Sequence, residues 1–170
     1  MDKTQIKRLS VTAMFTALVF AFTWIQVPAP FIGNINLGDA LILLSAWTLG
    51  GWGSVIAAGA GAALCDLLGA YAIYAPGTFF IKALMALSVL GISRLLSGKK
   101  LNSILSLIIS GICGELVMIL GYFIYESLVL RYGFPTAAAN IPFNAIQGVC
   151  GIVVGLAAFA IFKKAKINLK

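Results

Sequence analysis

Six apolar stretches follow one another along the chain, separated by short segments rich in glycine, proline or charge. A helix that crosses the roughly 30 Å hydrocarbon core of a bilayer needs about 20 such residues, so this pattern predicts membrane spans. The predicted spans cover about 9–27, a short 40–50, 54–70, 78–96, 101–126 and 141–162. Loops are predicted over 31–39 and 71–77 and over the segment before 141, with a tight glycine turn at 50–53. The pattern therefore predicts an all-α membrane protein, a bundle of six transmembrane helices that forms a single domain over residues 1–170.

Charge orients this bundle. The chain has 12 Lys and Arg against 5 Asp and Glu, a net charge of +7, although 61% of its residues are hydrophobic. With the N-terminus inside, ten basic residues lie on cytoplasmic segments, Arg131 lies outside and Lys82 lies within the membrane. The ten are Lys3, Lys7, Arg8, Arg94, Lys99, Lys100, Lys163, Lys164, Lys166 and Lys170. The positive-inside rule predicts cytoplasmic N- and C-termini in a multi-pass protein of the cell membrane, and it explains the charge without a nucleic-acid partner.

The ionisable residues inside the spans share one depth. Each costs about 2.5–3.5 kcal/mol at the middle of a span, so each needs a structural or functional reason. At 1.5 Å per helical residue, Lys82, Glu115 and Asp66 all fall in the outer half, and Asp39 opens the second span from outside. A proton-driven carrier or an ion channel needs polar groups along its whole path. The distribution instead predicts a cup that opens outward and has a closed floor.

Two helix faces complete this cup. Asn140, Asn144, Gln147, Gly151 and Gly155 recur at steps of three or four residues, so they share one face of span six. A face of span five carries Glu115, Met118, Tyr122 and Glu126. Amide, carboxylate, ammonium and aromatic groups around a small cavity suit a polar, ring-bearing metabolite. The predicted substrate contacts on the spans are Lys82, Glu115, Tyr122, Asn140, Asn144 and Gln147.

Each polar residue also has a purely structural interpretation. Asn140 is equally suited to cap a helix that begins near it. Lys82 and Glu115 would neutralise one another if they met. Asp39 is favoured as a helix N-cap or loop anchor, and Asp66 as a hydrogen-bond acceptor for neighbouring loops.

The chain contains no recognisable catalytic machinery. It has no histidine, no metal-ligand cluster and no G-x-x-x-x-G-K-[ST] phosphate loop, so we expect neither an enzyme nor a metal or cofactor bound to this chain. On span one, Ala13 and Ala17 form a small-xxx-small pair, which lets another helix approach closely. Such a spacing is common in an alanine-rich chain, so by itself it does not favour docking of a partner over internal packing.

Several motifs in this order resemble the substrate-binding S components of energy-coupling factor (ECF) transporters. They are the Ala13-x-x-x-Ala17 pair, Asn36-Leu-Gly-Asp-Ala at the end of the first loop, and Gly50-Gly-Trp-Gly before a Gly/Ala-rich span. Tyr74-Ala-Pro-Gly-Thr-Phe-Phe-Ile-Lys and Asn144-Ala-Ile-Gln-Gly complete the resemblance, which covers nearly the whole chain.

This resemblance implies a vitamin site near the outer face, built from loops one, three and five and spans four to six. Asn34 and Asn36 in the first loop join the predicted contacts, as does Trp24, for which an anchor at the membrane interface is the alternative. The resemblance also implies that Ala13 and Ala17 meet a transmembrane T subunit, and that two cytoplasmic ATPases use ATP to drive delivery. The pattern is closest to members for hydroxymethylpyrimidine- or pyridoxine-like rings, with pantothenate, riboflavin and folate as alternatives. A stand-alone secondary carrier and an accessory membrane subunit are the other classes.

Overall fold

The protein is described by a computed structural model that covers residues 2–30, 34–97, 102–167 and 169. This part contains six α-helices: α1 (Lys3–Trp24), α2 (Gly38–Thr48), α3 (Gly51–Leu68), α4 (Ala75–Ser97), α5 (Ser103–Ile124) and α6 (Phe134–Lys164). A π-helical turn (Tyr125–Val129) extends α5, and two short strands, β1 (Gln26–Pro28) and β2 (Asn34–Asn36), pair antiparallel. All the helices except α2 are long and apolar enough to cross a membrane, and α2 is a shorter apolar helix. The six helices confirm the predicted all-α membrane bundle.

Helix α2 lies at the centre of the bundle. Its residues from Gly38 to Trp47 are all buried, whereas the other helices expose large apolar side chains along one face. With 11 residues it is about 16 Å long, roughly half of the hydrocarbon core. Gly50 and Gly51 follow it with φ angles of 66° and 65°, a backbone conformation that glycine adopts without strain. These glycines let the chain reverse within the bundle and enter α3, as the predicted tight turn requires.

Glycines let α3 pack closely against its neighbours. A Cβ atom added to Gly61 would lie 2.6 Å from the backbone oxygen of Thr16 in α1, and one added to Gly59 would lie 2.8 Å from the backbone oxygen of Phe79 in α4. Both distances are shorter than real side chains tolerate. The Gly/Ala-rich sequence of α3 is therefore explained by helix packing, which is the main attraction between helices in lipid.

Helices α4 and α6 begin within segments predicted to be loops, and α1 and α3 also begin before their predicted spans, at Lys3 and Gly51. Helix α4 begins at Ala75, within the predicted loop 71–77, and α6 begins at Phe134 rather than near 141. Pro76 and Pro135 both lie in first turns, where no intrahelical N–H bond is lost. The start at Phe134 places Asn140 inside a helix, so its alternative role as a helix cap is wrong.

The first loop is also more ordered than predicted. Helix α1 ends at Trp24, and β1 and β2 form a hairpin in which Gln26 pairs with Asn36 and Pro28 with Asn34. Residues 31–33 of the predicted loop lie outside the described residues, as do Lys99, Lys100 and Lys170, on which the predicted orientation partly depends. The orientation stays a prediction.

Candidate functional site

A polar cavity lies beneath the hairpin, where the helices converge at the end of the bundle that is predicted to face outward. Its empty volume is about 450 Å³, including its open mouth. Helices α1, α3, α4, α5 and α6, strand β2 and the α3–α4 turn all contribute to its wall. The lining residues are Thr23, Asn34, Asn36, Ala62, Asp66, Tyr71, Tyr74, Thr78, Lys82, Tyr122, Glu126, Asn140, Asn144 and Gln147.

Seven of the nine predicted contact residues line this cavity: Asn34, Asn36, Lys82, Tyr122, Asn140, Asn144 and Gln147. Glu115 and Trp24 do not. Glu115 is buried and lies close to Asp39. Both side chains pack against Gly151, where an added Cβ atom would be about 3 Å from an atom of each. Trp24 is 49% exposed, and its ring packs on Phe20 with the centroids 5.4 Å apart.

An ion pair between Lys82 and Asp39 connects α4 to the start of α2. The Lys82 ammonium donates to Asp39 Oδ1, and the two side chains are 3% and 0% exposed. The partner of Lys82 is therefore Asp39, and the predicted alternative pairing with Glu115 is wrong. Asp39 lies within the first turn of α2 and not at its N-cap, which is Leu37, so its expected role as a cap is also wrong.

A chain of hydrogen bonds extends from Asp39 to the hairpin. Gln147 Nε2 donates to Asp39 Oδ2 at 2.6 Å, and Gln147 Oε1 accepts the backbone N–H of Asn36 at 2.9 Å. The Asn36 side chain accepts from the Gly38 N–H and donates to Asn34 Oδ1, both at 3.0 Å. Gln147 and Asn36 therefore hold the cavity wall together, and their polar atoms already have protein partners.

Tyrosine side chains form another part of the cavity wall. The Tyr122 and Thr78 hydroxyls are 3.1 Å apart, and the Lys82 ammonium lies 5.4 Å from the centre of the Tyr122 ring. The Tyr74 ring packs against those of Tyr122 and Tyr71, with centroid distances of 6.5 and 6.2 Å. Such a cluster offers faces and edges on which a planar ring can stack.

A carboxylate and an amide meet at one side of the cavity. Asn140 Nδ2 donates to Glu126 Oε1 at 2.9 Å, and the Tyr74 hydroxyl is 3.5 Å from the same oxygen. Burial raises the pKa of Tyr74, and the nearby Glu126 raises it further, so the hydroxyl keeps its proton and can donate. Within the described residues, Glu126 Oε2 and Asn140 Oδ1 are buried without any hydrogen-bond partner. Asn144 also lines the cavity, and its amide makes no hydrogen bond in the described part of the chain.

The predicted contacts left out six polar residues that line the cavity, namely Thr23, Asp66, Tyr71, Tyr74, Thr78 and Glu126. Asp66 and Glu126 had a usable signal, since each is an acid within an apolar stretch at the predicted outer depth. Tyr74 and Thr78 had none, because serine, threonine and tyrosine are common at the ends of spans. Among the described residues, no group of three or more His, Cys, Asp or Glu could hold a metal.

Comparison with known proteins identifies the family. The family model described as "ECF-type riboflavin transporter, S component" matches residues 3–164, nearly the whole chain. The chain belongs to this family of S components. It is a family of transporter subunits and not of enzymes. Such subunits bind vitamins and work with a T subunit and ATPases.

Individual proteins are similar to this chain over most of their length. The thiamine precursor transporter HmpT of Lactococcus lactis subsp. cremoris (strain MG1363) is 32% identical over 162 residues, which cover 91% of this chain and 86% of the relative. An uncharacterized protein of Pyrococcus woesei is 32% identical over 141 residues, covering 82% of this chain and 90% of that protein. A solved structure described as "Structure and mechanism of the S component of a bacterial ECF transporter" matches with a TM-score of 0.70 and 25% identity, over 96% of this chain and 99% of that one.

This S component also has an apolar groove on its lipid-facing surface, between α1 and α3. Ala13 and Ala17 are exposed there, with no larger side chain covering them. The groove is lined by Leu9, Thr12, Ala13, Thr16, Ala17, Phe20, Ile56, Leu64 and Leu68. Small residues at an exposed helix surface allow close approach of another helix.

Proposed function

We propose that this chain binds a water-soluble vitamin precursor with a single nitrogen-containing ring, of the hydroxymethylpyrimidine type, in the cavity at its outer face. The observation that carries the proposal is the cavity itself, which combines tyrosine rings with the free amide of Asn144 and the partly free carboxylate of Glu126. The relationship to a thiamine precursor transporter over 91% of the chain supports the same class of ligand.

Riboflavin is the second candidate, and the description of the family model favours it. The relationship to a thiamine precursor transporter over 91% of the chain instead favours one substituted ring over three fused rings with a sugar-alcohol chain. Pyridoxine is a single ring as well, whereas folate is larger and pantothenate offers no ring to the tyrosines.

Delivery to the inside is proposed to require partners. The buried ionisable side chains Asp39, Asp66, Lys82, Glu115 and Glu126 lie in or just beneath the cavity, and they do not continue toward the cytoplasmic ends of the helices. A stand-alone carrier would need polar groups along its whole path. The groove that exposes Ala13 and Ala17 supports docking of a transmembrane T subunit, with two ATPases supplying the energy from ATP. In this proposal the chain itself catalyses no reaction.

Calorimetric titration of the purified chain in detergent tests the ligand. We expect hydroxymethylpyrimidine to bind more tightly than pyridoxine, riboflavin, pantothenate or folate. The substitution Asn144→Leu removes a free cavity-facing amide, so we expect a loss of affinity of about 10- to 100-fold, as for a lost buried hydrogen bond of about 1–3 kcal/mol. Gly91→Ala is the control, because its added Cβ meets nothing within 4 Å. Tighter binding of riboflavin would replace the proposed ligand, and no binding of any vitamin would refute the proposal.

Uptake into vesicles tests the partners. We expect uptake only when the T subunit, both ATPases and ATP are present. Uptake by the purified chain alone would make it a stand-alone carrier.

A further inference from the structure

We propose that Glu126 and Asn140 form a subsite that recognises an amino group on the ligand ring through paired N–H donors. This inference rests on the proposed function, because it concerns the same cavity. It names the chemical feature that the cavity selects.

The two side chains are joined into one acceptor surface. Asn140 belongs to α6 and Glu126 to the π-helical turn after α5, and their 2.9 Å hydrogen bond uses Asn140 Nδ2 and Glu126 Oε1. This bond fixes which atom of each group remains free. The free atoms are Asn140 Oδ1 and Glu126 Oε2, and both are acceptors when Glu126 is ionised.

Both free acceptors are deeply buried. Asn140 is 3% and Glu126 is 1% exposed, and neither free oxygen has a hydrogen-bond partner within the described residues. Buried polar atoms of native proteins are nearly always hydrogen-bonded, because an unpaired one costs stability. Both side chains line the cavity, so a ligand in the cavity can supply the missing donors.

The surrounding groups narrow the choice of donor. Within the described residues, the Lys82 ammonium donates to Asp39 and Asn140 Nδ2 donates to Glu126 Oε1, and neither group bonds to the two free oxygens. Two adjacent acceptors match a primary amino group, which has two N–H bonds, and the Tyr74 ring beside them matches a flat ring that bears it. The expected ligand is therefore an aminopyrimidine or a similar ring amine, since one hydroxyl supplies a single donor and a carbonyl supplies none.

The test compares two ligands on three forms of the full-length chain. Amino-hydroxymethylpyrimidine and its analogue with hydrogen in place of the amino group are titrated into the wild type, Glu126→Gln and Ser127→Ala. Ser127 is the matched control, because it is the buried neighbour of Glu126 and, among the described residues, its hydroxyl bonds only to the backbone of its own helix. We expect the wild type and Ser127→Ala to prefer the amino ligand by about 10- to 100-fold, as for a hydrogen bond to a charged group.

In Glu126→Gln we expect this preference to fall to about onefold. Asn140 Nδ2 takes the oxygen of the new amide, and the amide nitrogen then faces the ligand, so donor meets donor. The analogue without the amino group should bind the variant as it binds the wild type. If the variant does not fold, Asn140→Ala removes the other acceptor from a different helix and should reduce the same preference. An unchanged preference in the folded variant overturns the subsite.

Failure of this inference can be distinguished from failure of the proposed function. If both rings bind the wild type equally, the cavity binds such rings and only the amino subsite is wrong. If neither ring binds a folded wild type, the proposed function is wrong, and the amino subsite is then wrong as well.

Discussion

Replacement of Lys82 by methionine tests the ion pair beneath the cavity. Methionine keeps the unbranched shape of the lysine side chain but removes its charge. Lys82 and Asp39 are 2% and 0% exposed, and Asp39 would keep only its 2.6 Å hydrogen bond from Gln147. Lys82→Met therefore leaves a carboxylate that is buried and has lost its counter-charge.

The size of the effect follows from this burial. Removing one partner of a buried ion pair costs about 3–5 kcal/mol, because the other charge stays buried, whereas replacing both partners is often neutral. The double substitution Lys82→Met with Asp39→Asn keeps an acceptor for Gln147 and removes the unpaired charge. We expect it to recover most of the loss, so the two substitutions should be far from additive in a double-mutant cycle that also includes Asp39→Asn.

Thermal unfolding of the ligand-free chain in detergent, followed by tryptophan fluorescence, measures these differences. For a chain of this size about 1 kcal/mol shifts the midpoint by roughly 2–4 °C, so Lys82→Met should lower it by about 6–20 °C. The double variant should return to within about 5 °C of the wild type. A single variant as stable as the wild type would refute the reasoning, and so would a double variant that loses the sum of both single effects.

Three further predictions concern packing, docking and topology. Gly61→Ala should destabilise the fold by about 1–3 kcal/mol, because its Cβ would meet the backbone of α1 at 2.6 Å, and its unfolding midpoint should fall. Ala13→Trp together with Ala17→Trp should fill the groove, leave vitamin affinity nearly unchanged in titrations and abolish uptake with the partner subunits. On intact cells, an impermeant thiol reagent should label a cysteine placed at Thr136, and it should label one placed at Ser97 only after the cells are opened.

Each of these predictions has a control or a contrary outcome. Gly91→Ala is the control for Gly61→Ala, because a Cβ atom added at Gly91 meets nothing within 4 Å. It should leave the unfolding midpoint unchanged. Met14→Trp adds one exposed tryptophan to α1 outside the groove and should preserve uptake. If the double tryptophan variant loses its ligand while still assembling, the alanine pair serves internal packing. Labelling of both cysteines from one side would contradict the topology.

Hydropathy predicted the helices well and their ends less well. Lipid requires every spanning segment to be apolar, so span positions are visible in the sequence. Proline explains the errors at the starts of α4 and α6, because it signals a loop and also suits the first turn of a helix. Pro76 and Pro135 take the second role, and Pro142 lies inside α6.

The candidate site was partly predictable, because the depth of a residue in the membrane follows from its position along a span. This depth can be estimated without knowing how each helix is rotated about its axis. Asn144, Gln147 and Lys82 were expected at one level, and they line one cavity. The ion-pair partner of Lys82 was not predictable, since it depends on how α2 is rotated relative to α4 and α6. The rotation of α2 in the structure brings Asp39, and not Glu115, into contact with the Lys82 ammonium. The pairing in the hairpin likewise depends on contacts with Gln147, which is 111 residues away from Asn36.

Replacing Glu115 and Glu126 separately by glutamine tests how far the binding site extends below the cavity. Both are carboxylates on the α5 segment, both are buried, and both have oxygens without partners in the described residues. Only Glu126 lines the cavity, whereas Glu115 lies beneath it, close to Asp39. Glu115→Gln removes a carboxylate from the neighbourhood of another one and supplies an amide donor. We therefore expect a stability gain of about 0.5–1.5 kcal/mol and a vitamin affinity within about threefold of the wild type.

Glu126→Gln should show the opposite pattern, with altered ligand preference and little change in stability, because its amide still accepts from Asn140. Unfolding midpoints and titrations of the two variants, measured side by side, separate the roles. If Glu115→Gln weakens vitamin binding by 10-fold or more, on the order of one lost hydrogen bond, then Glu115 is a substrate contact, as its depth in the sequence suggested. The binding site would then extend below the cavity to the level of Asp39.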